Sequence, residues 1–182
     1  MAEIGHIAWP PAPIITKRLV LRASEARDRT AFIELFASSE VRAYLGGPRP
    51  RDELEHAMPE VTRRHPGVFV IALDGAMIGT ITVDRRDTER PGDIRSDAGE
   101  IELSYMLLPR AWGRGYAVEA CAAALDWVAD EVPGEPVVLC TQTANGSSMR
   151  VAAKLGFTEV ARFEEFGAEQ WFGVWFSAAA SG

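Results

Sequence analysis

The stretch that most constrains this chain is Glu102-Leu103-Ser104-Tyr105-Met106-Leu107-Leu108-Pro109, followed at once by Arg110-Ala111-Trp112-Gly113-Arg114-Gly115-Tyr116-Ala117. Ile101, Leu103, Tyr105 and Leu107 fall on one face of a pleated segment, with Glu100, Glu102 and Ser104 starting the other, so Glu100 to Leu108 reads as a strand. Pro109 stops it. Beyond Gly115, Val118, Cys121, Leu125, Val128 and Val132 recur three and four residues apart, which predicts a helix closing near Val132. Between strand and helix lies a turn with two glycines. The first N–H groups of a helix lack partners, and its dipole puts partial positive charge there. A phosphate satisfies both. Glycines at 113 and 115 let a ligand approach the backbone and accept φ > 0; Arg110 and Arg114 add full charges. A tight turn with no ligand has the same spacing. A dinucleotide fingerprint needs a third glycine and a P-loop needs Gly-Lys-Ser/Thr, and neither is present.

The rest of the chain can be read around that unit. Residues 1–13, with Pro10, Pro11 and Pro13, read as extended or loose. Arg18 to Arg22 alternates and reads as the first strand. Asp28 is placed to cap a helix bearing Phe32, Leu35 and Phe36. A short helix is predicted over Ser39 to Leu45, stopped by Gly46-Gly47-Pro48. Asp52 and Glu55 have capping-box spacing ahead of Leu54, Met58 and Val61, with a kink at Pro59. Val68–Leu73 and Met77–Val83 flank Asp74-Gly75, a hairpin signal. Asp84 to Ala98 is a long charged loop, read as solvated or as a lid over a substrate. Pro136 to Gln142 is a strand, Ser147 to Leu155 a helix capped by Gly156, and 157–166 and 169–177 two strands around Gly167. This predicts one mixed α/β domain over 1–182, with its core at about 14–177 and about seven strands.

Two blocks carry a resemblance. Arg-x-x-Gly-x-Gly at 110–115, after its strand, resembles the acyl-CoA signature of the GNAT family of N-acetyltransferases. Asn145-Gly146-Ser147-Ser148, followed by Lys154-Leu155-Gly156-Phe157, is similar to that family's second cofactor-side motif. The opening Thr16-Lys17-Arg18-Leu19-Val20-Leu21-Arg22 and the closing Trp171 with Trp175-Phe176 resemble the branch that acetylates ribosomal-protein N-termini. The resemblance implies a mostly antiparallel sheet with helices on both faces and an acyl-CoA in the splay between strands 4 and 5. It implies pantetheine contacts at Met106, Leu107 and Leu108, and a diphosphate held by Arg110, Ala111, Trp112, Gly113, Arg114, Gly115, Tyr116 and Ala117. It also implies transfer of an acetyl group from acetyl-CoA to a primary amine, such as a protein N-terminal α-amine, by direct attack in a ternary complex. A small-molecule amine acceptor, a different acyl donor and a non-catalytic acyl-CoA-binding module remain alternatives.

Attack by an amine on a thioester calls for a base and for something to meet the departing thiolate. Glu102 matches the family's glutamate seven residues before the strand-ending proline and is the candidate base. Glu100, two residues earlier on the same face, comes second, and a water chain third. No tyrosine follows Tyr116, so the family's tyrosine acid is missing. In the ribosomal-protein branch a serine stands in that region, and Ser148 matches it. Asn145 either caps its helix or bonds the pantetheine. Trp112, Trp171 and Trp175 are read as core residues or as walls of the site.

Bulk properties narrow the classes further. A formal net charge of −7 removes the electrostatic case for nucleic acid. No apolar run is long enough to span a membrane, and Met1 to Pro13 has no leader pattern. The two cysteines, Cys121 and Cys140, read as reduced core thiols of a cytoplasmic protein; no metal is expected, and the chain is expected to be a monomer or homodimer. His6, His56 and His65 lie far upstream of either cysteine, which disfavours a Cys–His nucleophile.

Overall fold

The computed structural model describes residues 7–58, 65–92, 94 and 99–177. Among them run the strands β1 (Ile14–Ile15), β2 (Leu19–Arg22), β3 (Val68–Leu73), β4 (Ala76–Arg85), β5 (Ile101–Leu107), β6 (Val137–Gln142), β7 (Thr158–Glu165) and β8 (Ala168–Trp175). The helices are α1 (Arg29–Ala37), α2 (Arg51–Ala57), α3 (Tyr116–Glu131) and α4 (Gly146–Leu155). The strands form an eight-stranded sheet in the order β1-β2-β3-β4-β5-β6-β8-β7. About seven strands were expected. The extra one, β1, has two residues between Pro13 and Thr16, too few for any periodicity to be seen. Two compact units are recognisable: Ala8–Ile81 with Tyr105–Ala120, and Thr82–Ser104 with the chain from Cys121 on.

In the first unit, β2 and β3 pair antiparallel from Leu19↔Leu73 to Arg22↔Val70. Leu21, Phe69 and Ile71 are completely buried, each side chain contributing about 1.5–3 kcal/mol of transfer free energy. Leu35, Val70, Met77 and Leu108 form a cluster, with Phe32, Val41 and Met106 packed around it. The predicted β3–β4 turn is present: Asp74 and Gly75 have φ of 50° and 81°, the left-handed pair that a type I′ turn requires. Trp9 sets its ring edge-on to Phe69 at 4.9 Å, which ties down part of the proline-rich start. A Cβ on Gly79 would collide with the Met106 carbonyl and with Leu107, so glycine there allows β4 to lie close against β5.

Three local expectations in this unit are corrected. Asp28 does not cap α1 with its side chain. Its carboxylate accepts from Arg22 Nη1 and Nη2 at 2.7 and 2.9 Å, and from the Glu25 N–H at 2.8 Å. Arg22 is only 9% exposed, and a buried guanidinium has a stronger claim on the carboxylate than a helix end has. Residues 39–46 make turns rather than a helix, the Leu45 and Gly47 N–H groups both reaching the Arg42 carbonyl. Ser38 Oγ accepts from the Val41 N–H, a local bond that competes with helix formation. α2 starts at Arg51 after Pro50, which places Asp52 in the first helical turn instead of at the cap. Pro59 and Val61, where a kink and a continued apolar stripe were expected, lie outside the described residues.

In the second unit β6 pairs antiparallel with β8 from Val137↔Trp175 to Gln142↔Gln170, and β8 pairs with β7 in turn. Val138, Phe172 and Val174 form its cluster, flanked by Ile94, Cys140, Ala161 and Phe163. Phe166 and Gly167, with φ of 55° and 74°, make a second left-handed turn. β5 and β6 run parallel with pairs at Ile101↔Val137 and Glu102↔Val138. Both cysteines are free thiols, and burial pushes each thiol upward in pKa. β4 continues two residues past Val83. The long segment after it is described through Gly92 and at Ile94, while 93 and 95–98 lie outside the described residues.

Candidate active site

The glycine turn follows from its sequence. Leu108 is extended (φ −61°, ψ 142°), and Pro109 opens a short 3-10 turn over Pro109–Ala111. The Ala111 N–H reaches the Leu108 carbonyl at 2.9 Å, and the Trp112 N–H reaches that of Pro109 at 3.1 Å. Trp112 folds its indole N–H back onto the Leu107 carbonyl at 2.8 Å, leaving the ring 46% exposed. Gly113 and Gly115 have φ of +70° and +78°, and a Cβ at Gly113 would meet nothing within 4 Å. Gly113, Arg114 and Gly115 are exposed. The Glu119 N–H bonds the Gly115 carbonyl at 3.1 Å; the N–H groups of Tyr116, Ala117 and Val118, upstream of it, have no intrahelical acceptor.

The sequence-predicted contacts fare differently around this turn. The Leu108 N–H is spent on Ile78 of β4 at 2.8 Å. Strand alternation therefore turns the N–H of Leu107 toward the other edge of β5. Met106 and Leu108 pack into the core cluster. Arg110 is drawn to Glu34 of α1 at 2.7 Å, so its charge is partly met by that carboxylate.

A residue outside the expected set organises this turn. Arg18 donates through Nε to Glu119 Oε2 at 2.6 Å and through Nη1 to the Arg114 carbonyl at 2.8 Å. Its guanidinium lies 4.5 Å from the centroid of the buried Tyr116 ring. Glu119 Oε1 also accepts from Thr16 Oγ1 at 2.7 Å and from the Arg18 N–H at 2.8 Å. Burial pushes the Glu119 carboxyl upward, but the bonds from Thr16 and Arg18 outweigh it and hold the group below the ordinary glutamate range. The sequence contained both halves, Thr16-x-Arg18 and Glu119, but nothing in it linked positions 101 residues apart.

The second motif sits in the other unit. Asn145 is the N-cap of α4, its Oδ1 accepting from the Ser148 N–H at 3.2 Å. Gly156 ends the helix with φ of 84°. Ser148 is buried, with 8% exposure. Trp171 is a core residue, 5% exposed, its indole N–H bonded to Glu159 at 2.8 Å.

Glu102 lies in a charged cluster of this second unit. Its Oε1 accepts from Arg86 Nη1 at 3.0 Å and its Oε2 from Arg90 Nη1 at 3.2 Å. Arg90 also grips Glu165 in bidentate fashion at 3.0 and 2.9 Å. This bond raises Arg90 and lowers Glu165 in pKa. Arg86 has a side chain only 1% exposed; it bonds the Pro91 carbonyl at 2.7 Å and stacks 5.0 Å from the Phe172 centroid. Its Nε has no hydrogen-bond partner among the described residues. Glu100 is buried and accepts from the Ile94 N–H, so its carboxylate braces the segment after β4. Asp84, on β4, is partly buried; burial first, then the Glu102 charge, raises it above the usual carboxylate range. Asp84, Arg86 and Arg90 all fall in the segment that the sequence reads as loop. Carrying the alternation of β4 past Val83 would have put Asp84 and Arg86 on one face.

Comparison with known proteins identifies the family. The acetyltransferase (GNAT) domain matches residues 18–158, well over half of the chain. The uncharacterised protein YkkB of Bacillus subtilis is 30% identical over 150 residues, covering 79% of this chain and 83% of that protein. Among solved structures, a RimL ribosomal alpha-N-protein acetyltransferase in complex with coenzyme A superposes with a TM-score of 0.69 at 15% identity, covering 91% of this chain and 98% of the other. The aminoglycoside acetyltransferase AAC(6')-Ib in complex with coenzyme A gives 0.68 at 16% identity, covering 88% and 96%. Among the described residues no helix is long and apolar enough to cross a membrane, and no group of three or more His, Cys, Asp or Glu could hold a metal ion. The eight-stranded mixed sheet is thus the fold that the two sequence motifs implied, and the chain belongs to the GNAT acetyltransferase family.

Proposed function

We propose that this enzyme moves an acetyl group from acetyl-CoA to a primary amine by direct attack in a ternary complex, and that the amine is the α-amine of a protein N-terminus. The reaction class is that of the family. The observation that carries the donor is the exposed Gly113–Gly115 turn, with both glycines at positive φ just ahead of the first intrahelical bond of α3. A diphosphate at that turn satisfies N–H groups that the helix leaves unpaired. Gly115, Tyr116 and Ala117 supply the donors. Ala111 and Trp112 set the entry, and the Arg110 and Arg114 charges add field. The pantetheine amides take the edge of β5 to which the Leu107 N–H turns, while the side chains of Met106 and Leu108 serve as core.

The acceptor reading rests on chemistry. The RimL and aminoglycoside neighbours act on different amines by name, and at their identity they speak for fold alone. Carboxylates are weak bases, so they suit an amine that is already partly neutral. At pH 7 an α-amine of pKa near 8 is roughly one-tenth neutral, whereas a lysine near 10.4 is neutral about once in 2,500 molecules. The neutral nitrogen attacks the thioester carbonyl, a C–N bond forms, the C–S bond breaks and the thiolate leaves. In this reading Ser148 meets the thiolate with its hydroxyl, Asn145 fixes the first turn of α4 beneath Ser148, and Glu102, held between Arg86 and Arg90, draws the acceptor's ammonium by its charge.

The test is mass spectrometry with isotope-labelled acetyl-CoA over a panel of Ala- and Ser-initiated peptides, spermidine and an aminoglycoside, paired with a coenzyme A titration. Label on the α-amine of the peptides supports the proposal. Label on the small amines alone replaces the acceptor. Coenzyme A binding with no turnover on any acceptor makes the protein a non-catalytic module.

A further inference from the structure

The Glu102 cluster has a second carboxylate, and the strand register places it. The Arg86 N–H donates to the Glu100 carbonyl at 2.8 Å. In an antiparallel pair that bond sets Asp84, two residues back on β4, directly across from Glu102, two residues forward on β5, with both side chains on one face. Like charges in that position repel. Glu102 has both oxygens bonded to guanidinium groups. The Asp84 carboxylate has no hydrogen bond or ion pair among the described residues. Two carboxylates that differ in this way differ in proton affinity, and such a split is how acid–base roles are divided within a pair.

Among the described residues, the charges that bear on Asp84 are Glu102 on β5 and Arg90 after β4. Arg90 is already committed to Glu102 and Glu165. Arg86 is locked under Phe172 and over Glu102, so it cannot swing across to neutralise Asp84 without giving up bonds in a buried setting.

We propose that Asp84 is the group that takes the proton from the acceptor amine, and that Glu102, with Arg86 and Arg90, is the counter-charge that positions it. The assignment rests on the acetyl-transfer reading above. The ammonium gives one proton to the Asp84 carboxylate, and the freed nitrogen pair forms the C–N bond. The tetrahedral adduct expels the thiolate as the C–S bond breaks. The second proton of the nitrogen ends on the sulfur, and Asp84 returns its own to solvent. Amide, coenzyme A thiol and one released proton balance the equation.

The experiment compares wild type, Asp84→Asn, Asp84→Glu and Glu102→Gln in three measurements. These are the coenzyme A titration, the pH dependence of kcat/KM for acetyl-CoA with the best acceptor from an Ala-initiated peptide and spermidine, and a carbon-13 carboxyl NMR titration of Asp-labelled protein. Asp84→Asn is nearly isosteric and removes a half-buried charge, so it folds. The expected result is a kcat/KM lower by 100-fold or more with coenzyme A affinity unchanged, and loss of the acid limb of the profile. The Asp84 carboxyl should titrate in the NMR series at the midpoint of that limb. Glu102→Gln should move both midpoints to lower pH together, and Asp84→Glu should recover part of the rate. An Asp84→Asn enzyme with the wild-type rate and profile, or an Asp84 carboxyl titrating at the ordinary aspartate value, overturns the assignment. If wild type itself transfers no acetyl group, the transfer reading falls, and the NMR series alone then decides whether the carboxylate pair is split.

Discussion

Glu119→Gln is the sharpest test of how the glycine turn is held. Glu119 receives three donors: Thr16 Oγ1 at 2.7 Å and the Arg18 N–H at 2.8 Å on one oxygen, and Arg18 Nε at 2.6 Å on the other. Glutamine keeps an acceptor for the first two and turns an amide donor toward Arg18 Nε. The loss is therefore the charge and one charge-assisted bond. Hydrogen bonds to charged groups are worth about 1.5–3 kcal/mol. Arg18 is 39% exposed at its side chain, so solvent screening brings the figure to about 1–2 kcal/mol at pH 7. For a chain of this size that is a fall in Tm of about 3–6 °C. Arg18 also holds the Arg114 carbonyl, so the first turn of α3 loosens and coenzyme A binds about five- to tenfold more weakly, or about 1–1.4 kcal/mol.

The pH dependence separates this account from a generic packing defect. Glu119 is held below the ordinary glutamate range in the folded protein. As pH falls, the unfolded chain takes the proton first, so the stabilisation is complete above the unfolded pKa and is lost as pH drops through the folded one. Urea melts of wild type and Glu119→Gln should therefore differ at pH 7 and converge as the pH is lowered past that range. A gap that persists unchanged into acid, or no gap at pH 7, refutes the reasoning. Thermal shifts on adding coenzyme A read the affinity change in the same samples.

Gly113→Ala and Gly115→Ala each place a side chain at positive φ, which costs about 1–2 kcal/mol of stability. Only at 115 does the new methyl meet Arg18 Nη2, at 3.4 Å, so coenzyme A titration should show the larger loss there; equal losses would detach Gly115 from the ligand. Asp28→Ala takes the bidentate partner from Arg22, 10% exposed at its side chain, and leaves it Glu25 at 3.7 Å and the Ala23 carbonyl, so it should cost about 3 kcal/mol in urea melts, while Arg22→Met with Asp28→Leu together recover most of it. A small single-mutant effect would show the pair to be dispensable. Ser148→Ala should lower kcat by about ten- to 100-fold with the KM for acetyl-CoA unchanged, if its hydroxyl meets the departing thiolate; an unchanged kcat removes Ser148 from the reaction.

The parts of this molecule that were legible in its sequence are those fixed by short-range stereochemistry. Asp74-Gly75 could only turn, Gly156 could only end α4, and Asn145 caps that helix through a bond three residues long. Gly113 and Gly115 belong to the same class: their φ values are what a strand-to-helix turn of that length demands. Charges do not work this way, because a carboxylate takes whichever cation the fold brings to it. Asp28 had the spacing of a cap and lost that role to a guanidinium six residues upstream. Glu102 had the position of a base, and two arginines from a segment read as loop occupy both of its oxygens. The setting of Glu102 depends on strand register, which a sequence carries only in the length of its alternation. Two more residues of β4 change the surroundings of Glu102: ending that strand at Val83 makes Asp84 a loop residue, whereas carrying it to Arg85 sets Asp84 opposite Glu102.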